Sequence, residues 1–151
     1  MVVTFCGHSS FQGSETYEKE VLEILEEKIG EQAADLYLGG YGEFDRFAYT
    51  CCKKYKKTHK NVSLIFVTPY LTVSYQQNKL RDKQEQYDSI LYPEIETKPP
   101  RLAILYRNRF MIEKADLVIA FVEHSFGGAY QTYQYAIRKK KPIINLSKKE
   151  F

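Results

Sequence analysis

The sequence predicts an α/β fold: one domain built on an open, parallel, five-stranded sheet with helices on both faces. Three observations carry this. Short apolar runs alternate with amphipathic stretches along the whole chain. The apolar runs are continuous rather than alternating, which signals strands buried on both faces, as in a parallel sheet. Three of them run into glycine turns, and each such turn opens a helical stretch.

Each element has its own warrant. "VVTFC" at residues 2–6 reads as a short buried strand. "ETYEKEVLEILEEKI" follows, with Val21, Leu22, Leu25 and Ile29 on one helical face. "ADLYL" is the second strand. "EFDRFAYTCCKKYKK" at 43–57 is a helix with Phe44, Phe47, Ala48 and Cys51 at helical spacing. "VSLIFVTPY" is a strand stopped by Pro69. "RLAILYRNRFMIEKA" at 101–115 follows a Pro-Pro pair, a common helix start. "DLVIAFV" is a strand, "GAYQTYQYAIRKKK" at 128–141 a helix and "PIINL" a last strand. The polar segment 72–100 is too long for a plain connection and reads as a flap whose Tyr75, Tyr87 and Tyr92 close over a ligand or pack on a partner.

Composition sets bounds. At 151 residues the chain is expected to be a single domain spanning 1–151. A net charge of +3 is too small to argue for nucleic acid, so no nucleic-acid partner is expected. Two basic runs, "KKYKKTHK" and "RKKK", close helices, where lysine and arginine complement the dipole. Cys6, Cys51 and Cys52 fit neither a disulfide framework nor a metal-ligand spacing. No metal or cofactor is expected. The start of the chain has no basic leader, and no apolar run approaches the roughly 18 residues of a membrane span. The cytoplasm is the expected compartment, with no membrane partner.

The glycine turns locate the expected site. In an open parallel sheet, ligands sit beyond the carboxyl ends of the strands. "CGHSS", "LGGYGEFD" and "VEHSFGGAY" all fall there. Glycine allows close backbone approach, and a helix N-terminus offers free N–H groups to a phosphate. Gly7, Ser9, Gly39, Gly40, Gly127 and Gly128 are therefore candidates for ligand binding. Glu43 and Asp45 open a helix, where acids are favoured. They also repel phosphate, so the tip of the second strand suits ribose hydroxyls, with Tyr41 beside it, and the phosphate falls to another turn. His8 and His124 follow strands at the same edge and are candidate acids or ligand contacts. The 13 tyrosines include Tyr130, Tyr133 and Tyr135 on the last helix, where stacking on a base or a dimer seam is expected.

These motifs resemble a known family. "TFCGHSS" is similar to the opening of the Lonely guy phosphoribohydrolases, "LYLGGYGEFD" to their second-strand turn, and "RNRFMIEKADLVIAF" and "GGAYQTYQYA" to their later segments. The order and spacing run from first strand to last. The wider grouping is the SLOG superfamily, and the chain looks closest to small SLOG-like proteins of Firmicutes and their phages. The resemblance implies a Rossmann-like fold. It implies that Arg107 and Met111 contact substrate, that Gly127 and Gly128 bind phosphate, and that Gln131 and Gln134 stand where the family has threonine and its catalytic glutamate. An amide cannot ionise, though it can hold a ribose or base.

The expected function is therefore binding of a nucleotide or an ADP-ribose-like molecule, as a sensor or a sequestering protein. The alternative is an N-glycosidase releasing base from a nucleoside monophosphate, with Glu43 or Asp45 as the carboxylate. A homodimer or higher homo-oligomer is expected, from the resemblance and from the aromatic last helices.

Overall fold

The computed structural model describes residues 1–71, 75 and 80–151. Among them are the strands β1 (Val2–Gly7), β2 (Ala34–Leu38), β3 (Val62–Val67), β4 (Ser89–Leu91), β5 (Leu117–Phe121) and β6 (Ile143–Asn145). The helices are α1 (Glu15–Ile29), α2 (Glu43–Thr58), the short α3 (Arg81–Gln86), α4 (Ala103–Lys114) and α5 (Gly128–Arg138). The sheet order is β4-β3-β2-β1-β5-β6, and every neighbouring pair is parallel. The chain moves outward from β1 through β2 and β3 to β4. It then crosses back to lay β5 on the other side of β1. The strand order therefore reverses between β1 and β5.

The five-stranded expectation is corrected to six strands, because β4 lies inside the segment expected to be a flap. It has three residues and one neighbour, pairing Ile65 with Ser89 and Val67 with Leu91. An edge strand this short carries no apolar run to betray it. Local bonds hold it: Asp88 N–H donates to the Leu64 carbonyl at 2.8 Å, and the Asp88 carboxylate accepts from the Leu64 N–H at 2.7 Å. Tyr87 is buried, its ring centre 5.0 Å from that of Tyr49 and 5.4 Å from that of Phe66. Tyr75 and Tyr92 are half-buried. Residues 72–74 and 76–79 of the expected flap lie outside the described residues.

Alternation along the strands gives the sheet two apolar faces. Val3, Phe5, Leu36, Leu38, Leu64 and Phe66 face α1 and α2. Cys6, Val118 and Ala120 face α4 and α5 with Ile112, Tyr133 and Ala136. Leu25, Leu36, Leu38 and Phe44 are almost fully buried, each stabilising the fold by about 1.5–3 kcal/mol. Helix α1 starts where the Ser14 side chain accepts from the Tyr17 N–H at 3.1 Å, and it ends at Gly30 with φ 58°. All three cysteines are buried, and loss of solvent pushes the Cys6 and Cys51 thiols up to about 12. They act as core side chains rather than nucleophiles. No helix among the described residues is long and apolar enough to cross a membrane.

Candidate functional site

A cavity of about 490 Å³ opens between the carboxyl ends of β1 and β5, where the strand order reverses. This is the place an open α/β sheet offers a ligand.

Its floor is Arg107 and Met111 of α4. Arg107 is 2% exposed. One of its Nη atoms donates to the Gly39 carbonyl at 2.9 Å and the Val67 carbonyl at 2.8 Å, and its Nε donates to Asn108 Oδ1 at 2.9 Å. The guanidinium thus ties the tips of β2 and β3 together. Gly39 permits this, since a Cβ there would lie 3.1 Å from Arg107 Cζ. Burial lowers the Arg107 pKa, and the nearby Asp45 carboxylate opposes that.

One wall is the exit of β1. At Gly7 a Cβ would strike the Phe44 ring at 2.3 Å, so only glycine fits. His8 is buried, and its Nε2 accepts from the Glu123 N–H at 3.0 Å. A neutral ring in that role carries its proton on Nδ1. The His8 ring stacks on His124 with centres 3.7 Å apart, and His124 stacks on Phe126 at 3.8 Å. Burial lowers the His8 pKa, His124 lowers it further, and Glu123 opposes both.

The turn after β2 is already engaged. Gly42, with φ 90°, caps α2, and the Glu43 N–H donates to the Ser9 carbonyl at 2.9 Å. The Tyr41 N–H donates to Asp45 Oδ2 at 2.9 Å. Asp45 is half-buried and lines the cavity. Loss of solvent raises its pKa to about 6, against the Tyr41 N–H, Arg107 and Lys83. Glu43 points elsewhere: it is exposed, pairs with Arg46 at 3.2 Å, and lines a shallow hollow beside Phe11. Gly40, with φ 65°, shapes the turn against Phe66.

The opposite turn is open. Gly127, with φ 91°, precedes α5, and no side chain caps the helix. A Cβ built on Gly127 or on Gly128 would meet nothing within 4 Å. The first-turn N–H groups of α5 thus face the cavity without cover, which suits an anion. Tyr41 and Phe126 line the cavity yet are 66% and 68% exposed. They offer aromatic faces at its mouth.

Gly7, His8, Ser9, Tyr41, Asp45, Arg107, Met111, His124, Gly127 and Gly128 therefore meet in one cavity. Tyr130, Gln131 and Gln134 do not line it. They line a second hollow between α4 and α5. Sequence reasoning missed Asn108, Glu123, Phe126 and Thr132, which line the main cavity. It also missed Asn145, whose side chain accepts from the Val122 N–H at 3.0 Å and donates to the Val122 carbonyl at 2.9 Å, fixing the loop out of β5. Phe126, an aromatic in a turn, carried a usable signal; Asn145 carried none. No group of three metal-binding side chains occurs among the described residues.

The chain matches no family model and no curated protein. It is similar to solved structures of DNA processing protein A. DNA processing protein A from Helicobacter pylori, described for its single-stranded DNA binding mode, aligns with a TM-score of 0.62 and 20% identity. DNA processing protein A from Streptococcus pneumoniae aligns with a TM-score of 0.63 and 17% identity. The alignments cover 95% and 93% of this chain, but only 63% and 48% of those proteins. The chain shares their Rossmann-like fold. The expectation of no nucleic-acid partner, drawn from a modest net charge, is overturned here. The H. pylori protein has this fold and binds single-stranded DNA. Net charge summed over a surface says little about one local face.

Proposed function

We propose that this chain binds a nucleotide unit in the cavity between β1 and β5. The phosphate takes the open N-terminal turn of α5 at Gly127 and Gly128. The ribose lies toward Ser9 and Asp45, and the base stacks on Tyr41 or Phe126. The observation that carries this reading is the uncapped, glycine-opened start of α5, facing a cavity with two exposed aromatic rings at its mouth. The Lonely guy and SLOG resemblance supports a nucleotide-derived ligand, including an ADP-ribose-like signal that the protein senses or sequesters. The fold shared with DNA processing protein A supports a nucleotide within single-stranded DNA. Thermal unfolding with nucleoside monophosphates, ADP-ribose and a short deoxyoligonucleotide tests the reading. A true ligand at 100 times its dissociation constant adds about 2.7 kcal/mol of stability. No shift with any of them would remove the proposal.

Asp45 favours a second reading, cleavage of an N-glycosidic bond. It is a carboxyl group in the cavity with a pKa of about 6, suited to general acid or base work near neutrality. Gln134 opens on the other hollow, so Asp45 carries this reading alone. Base release from a nucleoside monophosphate by the wild type, abolished in Asp45→Asn and retained in Glu43→Gln, is its signature.

A further inference from the structure

The second hollow, of about 320 Å³, runs along α5 on its α4 side. Arg109 of α4 and Arg138 of α5 line it with Tyr135 between them. The Arg109 Cζ lies 5.0 Å from the Tyr135 ring centre, the Arg138 Cζ 5.4 Å, and the Lys139 Nζ 5.4 Å. The Tyr135 hydroxyl donates to Glu113, which fixes the ring. Neither arginine pairs with a carboxylate among the described residues. Three cations gather on one ring against the single Glu113 carboxylate on its hydroxyl, which leaves an excess of positive charge that a further anion offsets. Guanidinium groups match phosphate oxygens in a bidentate fork. Gln131 and Gln134 add amide donors to the same hollow.

Thr132 lines both the main cavity and this hollow, so the two meet across α5. From Gly128 to Arg138 the helix rises about 15 Å. One nucleotide with its phosphate at Gly128 does not span that length; a strand does. A second copy of this chain is a poor occupant. Pairing about a two-fold axis would set Arg109, Arg138 and Lys139 against the same three residues.

We propose that the α4–α5 hollow is a second phosphate subsite, which takes the backbone of a single-stranded polynucleotide with one nucleotide seated in the main cavity. This rests on the nucleotide reading of that cavity.

The test uses the full chain, a labelled oligothymidylate of about 12 nucleotides, and thymidine monophosphate. Anisotropy follows the oligomer and calorimetry the monomer. Arg109→Gln with Arg138→Gln is expected to weaken oligomer binding about 10- to 100-fold, less than two fully desolvated charged hydrogen bonds would give because the hollow is open to solvent. It should also lower the slope of log affinity against log salt by about 1.4, at about 0.7 per phosphate contact. Monomer affinity should stay the same. If that variant fails to fold, Arg138→Glu on the exposed end of α5 is expected to weaken the oligomer at least as much. Unchanged oligomer affinity and slope overturn the subsite and leave the main cavity standing. So does a wild type that binds the monomer as tightly as the oligomer. Binding of neither ligand removes both readings. A change of mass in Arg138→Glu with oligomer affinity intact assigns the hollow to a second copy and also overturns the proposal.

Discussion

Asp45 and His8 stand on the same cavity and bias stability in opposite directions with pH. The Asp45 carboxyl has a folded pKa of about 6, above its unfolded value of about 3.9. Between these values the folded state binds more protons, so stability falls as pH rises through that window and stays lower above it. His8 is neutral and accepts a backbone N–H, with a lowered pKa. Its contribution is present above about 6.5, the unfolded value, and is lost as pH falls through the folded value. Asp45→Asn should therefore raise stability at pH 7 by about 1–3 kcal/mol, at 1.36 kcal/mol per pKa unit, and flatten the slope between pH 4 and 6. His8→Gln should instead remove the fall on the acid side. Urea unfolding at half-unit pH steps checks both, and an unchanged profile in Asp45→Asn would sink the first. Residue identities at the cavity were largely legible from the glycine turns. The division of labour between Glu43 and Asp45 was not: both stand in the first turn of α2, and the sequence kept them as alternatives. Burial raises the Asp45 pKa only once the chain has folded, and the Arg107 and Lys83 charges that oppose it come from distant segments and leave no local trace.

At the scale of elements, the two glycines before and at the start of α5 separate folding from binding. Gly127 has φ 91°, where any side chain is strained. Gly127→Ala should cost about 1–3 kcal/mol. Gly128 has an ordinary helical backbone and open space around it. Gly128→Ala should leave the melting temperature almost unchanged, while its methyl group obstructs an approaching phosphate and weakens nucleotide binding at least about tenfold, or about 1.4 kcal/mol. Equal affinity in calorimetry would mean that the ligand does not approach this turn. Asn145→Ala removes two hydrogen bonds to Val122 and should cost about 1–3 kcal/mol, with looser ordering of the loop that carries His124 and Phe126. The long periodic helices α1, α2, α4 and α5 and the apolar strands were readable because burial repeats along them. Strand β4 and helix α3 were not. One has three residues and one neighbour, and the other has six residues, none of them buried.

At the scale of the whole molecule, strand order was beyond the sequence, because apolar runs say that strands are buried but not which strands are neighbours. The crossover from β4 to β5, which lays β5 beside β1, decides where the cavity lies, and it packs α4 against α5 so that Arg109 and Arg138 line one hollow. The "RKKK" run explains itself locally as a helix end, so nothing in the sequence joins Arg138 to Arg109. That juxtaposition bears on the expected homodimer. A seam on the last helices brings like charges together, and salt screens like-charge repulsion. Self-association through this face should therefore be weak at about 50 mM salt and strengthen toward about 500 mM, where the Debye length shortens. Phosphate binding at the same face carries the opposite sign, because salt competes with the released counterions. Sedimentation velocity at tens of micromolar, with and without an oligonucleotide, separates the two. Little dimer at low salt, and a dimer fraction that rises with salt and falls when oligonucleotide is added, is the expected result. A dimer already complete at low salt and indifferent to oligonucleotide would place the seam on another face, away from Arg109 and Arg138.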